Sequence, residues 1–214
     1  MNPDWNLPPQ EIERRSFAII EREVGDHPWD PEAWRVVRRM IHTTGEVDLA
    51  RKVYLHPQAV ARGRQALRAG RPVFTDTRMA QAGISIRRLA PLGVKVICLA
   101  GDPRVAELAR RRGTTRAVAA VDLALERLED AVCAIGNAPT ALLRLLEHIA
   151  AGRVRPALVI GLPVGFVNAA ESKQALVDSG WPCITLPGRR GGSALAASAV
   201  NALAELACQE ADHV

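Results

Sequence analysis

The sequence contains few of the residues that build several common kinds of functional site. Aromatic residues make up 4% of the 214 residues, and the four cysteines form no CxxC pair. This pattern predicts neither a zinc site nor an aromatic RNA-binding surface. No apolar run is long enough to span a membrane, and residues 1–10 are polar and proline-rich, unlike a signal peptide. We therefore expect a protein of the reducing cytoplasm that binds neither membrane nor nucleic acid.

Several motifs of common enzymes and cofactor-binding proteins are also missing. The dinucleotide pattern GxGxxG, the phosphate-binding GxxxxGK[ST], the nucleophile elbow GxSxG and the zinc-binding HExxH do not occur. The stretch GLPVGFVNAAESK at 161–173 contains two glycines and ends in lysine, but with the wrong spacing for a phosphate loop. The histidines are too scattered to predict a metal site: His27, His42, His56, His148 and His213.

The composition does provide a large aliphatic core and a basic surface. Hydrophobic residues make up 48% of the chain, and the net charge is +5 with a pI of about 9.5. Most of the basic residues are arginine, which pairs with carboxylate or phosphate through two parallel hydrogen bonds. An anionic ligand is therefore expected, bound by a single domain that spans residues 1–214.

From residue 72 onwards, the pattern strand–loop–helix occurs five times. The strand segments are continuous apolar runs, which is typical of strands covered by helices on both faces. They lie at 72–76, 94–101, 131–136, 156–161 and 182–188. We predict one α/β domain with an open, mostly parallel sheet flanked by helices, preceded by an N-terminal helical segment. Ligands of such sheets bind at the carboxyl ends of the strands.

The helical segment places one histidine in a basic surrounding. Asp30 and Pro31 begin a helix that we expect to end at Gly45. His42 lies in its last turn, near Arg39, and represents either one residue of a solvated basic face or a proton donor. In the preceding helix, Ser16 lies on the apolar stripe of Ile12, Ile19, Ile20 and Val24. It either bonds back to its own helix or contacts a ligand.

The loops taken together resemble the precorrin-8X methylmutase family of corrin biosynthesis. Matching segments run in family order over nearly the whole chain, and the last three of them are specific in combination. They are ERRSFAII at 13–20, RMIHTTG at 39–45, DTRMAQAGI at 76–84, DPR at 102–104, TTRA at 114–117, IGNAPTAL at 135–142, GLPVGFVNAAESK at 161–173 and GRRGGSA at 188–194.

The resemblance implies an isomerase that moves a methyl group from C11 to C12 of precorrin-8X. The product would be hydrogenobyrinic acid, or cobyrinic acid when the substrate is cobalt-precorrin-8. The family's proton-donating histidine corresponds to His42, its substrate-binding serine to Ser16 and its substrate-binding arginine to Arg39. Family members are homodimers that use no separate cofactor, and we expect the same here.

We predict a substrate-binding set that combines these positions with the loops at the strand ends. Its arginines suit the ring's carboxylate arms, and its apolar members suit the ring body. Helix N-termini after the segments GNAPT and GRRGGS are expected to hold further carboxylates. The set is Ser16, Arg39, Thr43, Asp76, Met79, Arg116, Asn137, Gly165, Phe166, Val167, Arg189, Gly191 and Gly192, with Arg190 as an alternative to Arg189.

Two other functions are compatible with the same residues. A non-catalytic tetrapyrrole carrier would use the same pocket to hold a corrinoid and transfer it to the next enzyme. A phosphate-binding or nucleotide-binding regulator is suggested by the basic charge and the glycine loops, but the phosphate fingerprints are missing. Turnover by substoichiometric protein separates the enzyme from the carrier.

Overall fold

The computed structural model describes residues 6–209, which form one six-stranded sheet between two layers of helices. Residues 1–5 and 210–214, with His213, lie outside the described residues. The strands are β1 (Tyr54–Leu55), β2 (Val73–Thr75), β3 (Val96–Cys98), β4 (Val132–Ile135), β5 (Leu158–Gly161) and β6 (Cys183–Thr185).

The helices are α1 (Pro9–Val24), α2 (Pro31–Thr44), α3 (Ala59–Arg68), α4 (Arg78–Gly83), α5 (Ile86–Leu89), α6 (Pro103–Arg112), α7 (Arg116–Ala124), α8 (Pro139–Ala150), α9 (Ala169–Asp178) and α10 (Ser193–Gln209). None of the helices within residues 6–209 is both long enough and apolar enough to cross a membrane.

The sheet has the order β1-β6-β5-β4-β2-β3. Strands β2 to β6 are parallel, which confirms the prediction, while the two-residue β1 pairs antiparallel with β6 and was not predicted. Between β2 and β4 the chain reverses its direction of travel across the sheet. In open parallel sheets, such a reversal separates the loops that follow the two strands and opens a crevice.

Alternate side chains of each strand enter two separate cores. Val132 and Ala134 pack with the layer of α2, α3 and α10, whereas Cys133 and Ile135 pack with the layer of α7, α8 and α9. Because both faces are buried, the strands lack polar alternation and read as continuous apolar runs. The four cysteines, all within the described residues, are free.

Helix α10 is the central helix of the first layer and separates α2 from the sheet. It is rich in alanine, and twelve of its residues are buried. Its small residues permit close approach, since a Cβ placed on Gly136 would lie 2.7 Å from the Cα of Ser193, and one on Gly83 would lie 2.9 Å from the Cβ of Ala197. Helices α2, α3 and α4 all contact α10, so residues from distant parts of the sequence meet along it.

Helix α1 packs on α2 and buries less of its surface than expected. Of the predicted stripe, Ile20 is buried, but Ile12 is 46% exposed and Ile19 is 44% exposed. The predicted stripe is therefore only partly covered by protein. The physical reason is that α1 lies outside α2, in a further layer, so only one edge of its apolar face meets protein.

Candidate functional site

The end of α2 holds His42 on the protein surface. Asp30 caps the start of the helix by accepting from the N–H groups of Glu32 at 3.0 Å and Ala33 at 2.9 Å. At the other end, Gly45 adopts φ 72° and donates its N–H to the Ile41 carbonyl at 2.8 Å. These caps place His42, with its exposed imidazole, in the last turn of the helix.

A phenylalanine of α1 organises the surroundings of His42. The rings of Phe17 and His42 meet edge to face, with centroids 5.3 Å apart. The guanidinium carbons of Arg38 and Arg39 lie 4.2 Å and 4.9 Å from the centroid of the same Phe17 ring. Phe17 was not among the predicted site residues. The sequence signal that could have identified Phe17 is its place directly after Ser16 in the segment ERRSFAII.

Arg39 is mostly buried and already paired with two carboxylates. Its side chain is 12% exposed, and it donates to Glu13 Oε1 at 2.5 Å and to Glu205 Oε2 at 3.1 Å. Glu205 also accepts from Arg35 at 2.8 Å and lies 3.5 Å from Arg88. Three arginines thus share one carboxylate of α10, which leaves an excess of positive charge beside His42. The hydrogen bond from Arg39, with its charge, lowers the pKa of Glu13.

Ser16 and Thr43 both bond to their own helices. Ser16 Oγ donates to the Ile12 carbonyl at 2.8 Å, and Thr43 Oγ1 donates to the Arg39 carbonyl at 2.9 Å. The back-bonded geometry considered for Ser16 is therefore present. Because a hydroxyl oxygen keeps its lone pairs while it donates, each of the two groups can still accept a hydrogen bond from a ligand.

At the sheet edge, Asp76 fills the crevice between β2 and β4. Its Oδ1 accepts from Gly136 N–H at 2.9 Å, and its Oδ2 accepts from Asn137 N–H at 2.9 Å and Ala138 N–H at 2.8 Å. Asp76 is only 7% exposed, and burial raises its pKa although the three backbone N–H groups act in the opposite direction.

This geometry shows internal partners at two positions of the sheet edge that were predicted to bind substrate. Asp76 was predicted to bind substrate, but both of its carboxylate oxygens are used within the protein. The N-terminus of α8 was predicted to hold a substrate carboxylate, but Asp76 already occupies the N–H groups that precede that helix. The carboxylate at this position is the protein's own, and it fixes the two loops where the sheet reverses direction. Neither role was visible in the sequence, because residues 76 and 136 are brought together only by the pairing of β2 with β4.

Two further loops at this edge are bonded to each other. Gly192 N–H donates to the Leu162 carbonyl at 2.8 Å, and Gly165 N–H donates to the Arg189 carbonyl at 3.2 Å. A Cβ on Gly191 would lie 2.3 Å from the Leu162 carbonyl oxygen, so the predicted close approach at Gly191 is to the protein's own backbone rather than to a ligand. Gly165 and Gly192 have φ of 148° and 130°, which side chains rarely allow.

The apolar members of the predicted set are exposed at the same edge. Met79 is 73% exposed, Phe166 is 83% exposed and Val167 is 77% exposed. The Arg189 guanidinium carbon lies 5.2 Å from the centroid of the Phe166 ring. Apolar side chains this exposed, with an arginine beside them, form a surface suited to a large planar anion.

Asn137 and Arg116 lie at the rim of this surface. The Asn137 side chain is exposed, while its backbone N–H is held by Asp76. Arg116 is the exposed first residue of α7, directly after Thr115, whose Oγ1 lies 3.2 Å from Thr140 Oγ1 in the first turn of α8. The sequence-distant segments TTRA and GNAPT therefore meet at one edge.

Arg190 connects the sheet edge to the end of α2. Its guanidinium donates to Glu46 Oε2 at 2.6 Å and to Asp48 Oδ2 at 3.1 Å, just beyond the end of the His42 helix. These internal partners make Arg189 the better candidate of the two arginines for a substrate carboxylate. Lys173 donates from Nζ to the Arg190 carbonyl at 2.5 Å. Lys173 ends the segment GLPVGFVNAAESK, but no role was predicted for it.

The predicted residues therefore form two groups. Ser16, Arg39, His42 and Thr43 lie together on α1 and α2, and the other predicted residues lie on the sheet-edge loops. Neither group lines a large cavity found elsewhere among the described residues. That cavity, of about 420 Å³, lies at the opposite, amino-terminal edge of the sheet, against Arg62, Arg155 and Trp181. Among residues 6–209, no cluster of His, Cys, Asp and Glu is suited to hold a metal ion.

Comparison with known proteins connects this geometry to one family. The family model described as precorrin-8X methylmutase matches residues 11–206. A cobalt-precorrin-8 methylmutase of Priestia megaterium is 43% identical over 199 residues, which cover 93% of this chain and 88% of that protein. A precorrin-8X methylmutase of a Sinorhizobium species is 46% identical over 195 residues, covering 90% and 92%.

A solved structure shows the same fold. The crystal structure of a precorrin-8X methylmutase from Thermus thermophilus superposes with a TM-score of 0.87 at 43% sequence identity. The match covers 94% of this chain and 97% of that one. The alternative that the protein is a non-catalytic carrier finds no support in these comparisons.

Proposed function

This chain belongs to the precorrin-8X methylmutase family, and we propose which of its residues carry out the family's reaction. Members of the family are isomerases of cobalamin biosynthesis that rearrange precorrin-8X to hydrogenobyrinic acid by an intramolecular methyl transfer. In our proposal, His42 is the proton donor and acceptor. Ser16, Arg39 and the sheet-edge loops hold the ring, either free of metal or carrying cobalt.

The observation that carries the proposal is the position of His42. It is exposed in the last turn of α2, against Phe17, whose ring is also contacted by the guanidinium groups of Arg38 and Arg39. Histidine is the side chain that exchanges a proton most readily near neutral pH. Its exposure means that a substrate can reach it without displacing any part of the core.

The chemistry requires little beyond binding and one proton. Migration of a methyl group within one molecule needs no nucleophile from the protein. Protonation of the conjugated ring by His42 makes it poorer in electrons and eases migration, and the imidazole takes the proton back afterwards. Protonation at a fixed site requires a fixed ring, which is the task of the binding residues.

The substrate-binding residues fall into two chemical classes. Arg39, Arg116 and Arg189 pair with carboxylate arms of the ring, and each charge-assisted bond contributes about 1.5–3 kcal/mol before desolvation is counted. Met79, Phe166 and Val167 cover the ring body, which explains why these apolar side chains are exposed in the free chain. The protein therefore uses arginine for the periphery of the substrate and aliphatic or aromatic contacts for its face.

We further propose that the protein is a homodimer of the cytoplasm. The exposed apolar residues Ile12, Ile19 and Ile86 support a dimer, since an isolated chain gains nothing by exposing them. The free cysteines support a reducing compartment. Analytical ultracentrifugation tests the dimer, and a single species of monomer mass across the concentration range would contradict it.

The test of function is a visible absorption spectrum recorded over time after a small amount of protein is added to precorrin-8X. We expect many turnovers per protein molecule. In His42→Ala the rate should fall about 10²-fold to 10⁴-fold while ring binding persists. His56→Ala is the matched control, since His56 only accepts a turn hydrogen bond from Gln58 N–H at 3.2 Å.

Two results would contradict parts of the proposal. A spectral change that stops at one ring per site would indicate a binding protein rather than an enzyme. A wild-type rate in His42→Ala would exclude His42 as the proton donor. The assay is repeated with cobalt-precorrin-8, and turnover of either substrate supports the function.

A further inference from the structure

Arg190 is held at both of its ends by different parts of the protein. Its backbone carbonyl accepts from Lys173 Nζ at 2.5 Å, and its guanidinium donates to Glu46 and Asp48. Lys173 belongs to α9, on one face of the sheet. Glu46 and Asp48 follow α2, on the other face. One residue therefore connects elements from opposite sides of the sheet.

Lys173 is an unusual residue in this position. Its side chain is fully buried, and among residues 6–209 no carboxylate forms an ion pair with it. Burial of an ammonium group without a counter-charge costs free energy, and lysine is almost never fully buried without a partner. Burial also lowers its pKa to about 8. Because burying Lys173 costs free energy of folding, we look for its role at the loop of Arg190, which it contacts.

The segment 189–192, which Lys173 contacts, is also fixed by backbone hydrogen bonds. Gly192 N–H bonds to the Leu162 carbonyl and Gly165 N–H to the Arg189 carbonyl, so segments 162–165 and 189–192 are connected at two points. Lys173 of α9 bonds to the segment 189–192 at the Arg190 carbonyl, and the Arg190 side chain connects the same segment to the residues after α2. Arg189, the predicted carboxylate ligand, lies in the same segment.

We infer that Lys173 and Arg190 are positioning residues that set the distance between the Arg189 loop and the His42 end of α2. The inference rests on the proposed function, because it assigns these two residues to the geometry of the same site. Lys173 holds the loop to α9 through the Arg190 carbonyl. The Arg190 guanidinium holds the same loop to Glu46 and Asp48, which follow α2. Neither residue contacts the reacting atoms.

The test compares Lys173→Met and Arg190→Gln with the control Lys95→Met. Lys95 is an exposed lysine just before β3, at the opposite edge of the sheet. Lys173→Met keeps an unbranched side chain, one atom shorter, and removes the charge and the hydrogen bond to the Arg190 carbonyl. We expect kcat to fall about 10-fold or more in this variant, because small displacements of reacting groups cost rate. Lys95→Met should match the wild type.

In Arg190→Gln, kcat should fall less, about 3-fold, because the ion pairs of Arg190 are half exposed and contribute modestly. In Arg190→Lys most of that loss should be restored, because the ammonium still reaches a carboxylate after α2. Because the arginine side chain acts through ion pairs, added salt should slow the wild type more than it slows Arg190→Gln.

Amide hydrogen exchange provides a measurement that does not depend on activity. Residues 189–192 should exchange faster in Lys173→Met and in Arg190→Gln, while α8 should stay as protected as in the wild type. If the wild-type protein turns over no corrinoid, the proposed function fails, and the exchange data still decide whether the connection exists. Unchanged exchange at 189–192 in both variants, or wild-type kcat in both, would overturn the inference. Should Lys173→Met not fold, Arg190→Gln and the double variant Glu46→Gln/Asp48→Asn decide the outcome alone.

Discussion

The two halves of the candidate site are held in place by different kinds of interaction. At the sheet edge, the buried Asp76 accepts three backbone N–H groups, and Gly192 bonds to the Leu162 carbonyl. On the helical half, Arg39 pairs with Glu13 and Glu205, whose side chains are 41% and 28% exposed. Backbone bonds to a buried carboxylate resist salt, whereas half-exposed ion pairs are screened by it.

Under the proposed function, this difference concerns the rigidity of the part that binds the ring and of the part that carries the proton donor. The sheet edge presents a preset surface to the ring, because its loops cannot move without exposing unpaired N–H groups. Within the helical half, α1 is attached more loosely than α2, since α1 buries a single residue, Ile20, and α2 buries six among the residues described. Under the proposed function, Ser16 and Phe17 on α1 can therefore adjust to the substrate more easily than His42 on α2 or the sheet-edge loops can.

The most severe way to break this contrast is to remove Asp76. In Asp76→Ala three buried or half-buried N–H groups lose their acceptor, and we expect a loss of about 3 kcal/mol or more in the free energy of unfolding. Urea denaturation measures this loss. Asp178→Ala, which removes an exposed carboxylate of α9, should change stability by less than about 0.5 kcal/mol. Equal effects of the two changes would contradict the role assigned to Asp76.

A smaller effect is expected from Arg39→Ala, on the helical half. The change removes one carboxylate ligand and leaves Glu13 without its partner, so we expect affinity for the ring to fall by about 10-fold or more. The fall in kcat should be smaller than the fall in affinity, because His42 remains in place. Titration of the ring into protein gives the dissociation constant. An unchanged constant would exclude Arg39 as a carboxylate ligand and leave it as part of the ion-pair network.

The smallest effect is a local response to acid, which should differ between the halves. The hydrogen bond from Arg39 lowers the pKa of Glu13 below its usual 4.5, so this pair stabilises the docking of α1 fully above pH 4.5 and loses its contribution as the pH falls further. Burial instead raises the pKa of Asp76 in the folded protein, so protonation of this group favours the fold as the pH falls.

Hydrogen exchange, corrected for the intrinsic pH dependence of the amides, separates the two responses. Between about pH 6 and about pH 3.5, α1 should lose protection before residues 136–138 do. Simultaneous opening of both regions would mean that the halves unfold as one unit, and the contrast between them would not hold.

Much of the fold could be predicted from local sequence. Asp30, Pro31 and Gly45 gave the bounds of α2, and the continuous apolar runs gave the five parallel strands. The two-residue β1 was not predictable, because so short a strand exists only through its pairing with β6. The exposure of Ile12 and Ile19 was not predictable either, since periodicity identifies an apolar face but not how much of it a neighbour covers.

The candidate site shows the same division. His42, Ser16 and Arg39 were singled out by spacing and resemblance, and the structure brings their helices together around Phe17. The substrate-binding roles of Asp76 and Gly191 stay predictions, and the structure shows that each of them also meets the protein's own backbone.

The sequence by itself determined the helix caps, the covered parallel strands and the family, because each depends on residues that are near neighbours or on motifs in order. The tertiary structure alone decided that Asp76 occupies the crevice between β2 and β4 and that Arg39 is already paired. It also decided that Lys173 bonds to the loop of Arg190. Those outcomes depend on groups 17 to 166 positions apart, such as Lys173 with Arg190 and Arg39 with Glu205. A hydrogen-bonding group can be assigned a partner only when the fold has placed every competitor.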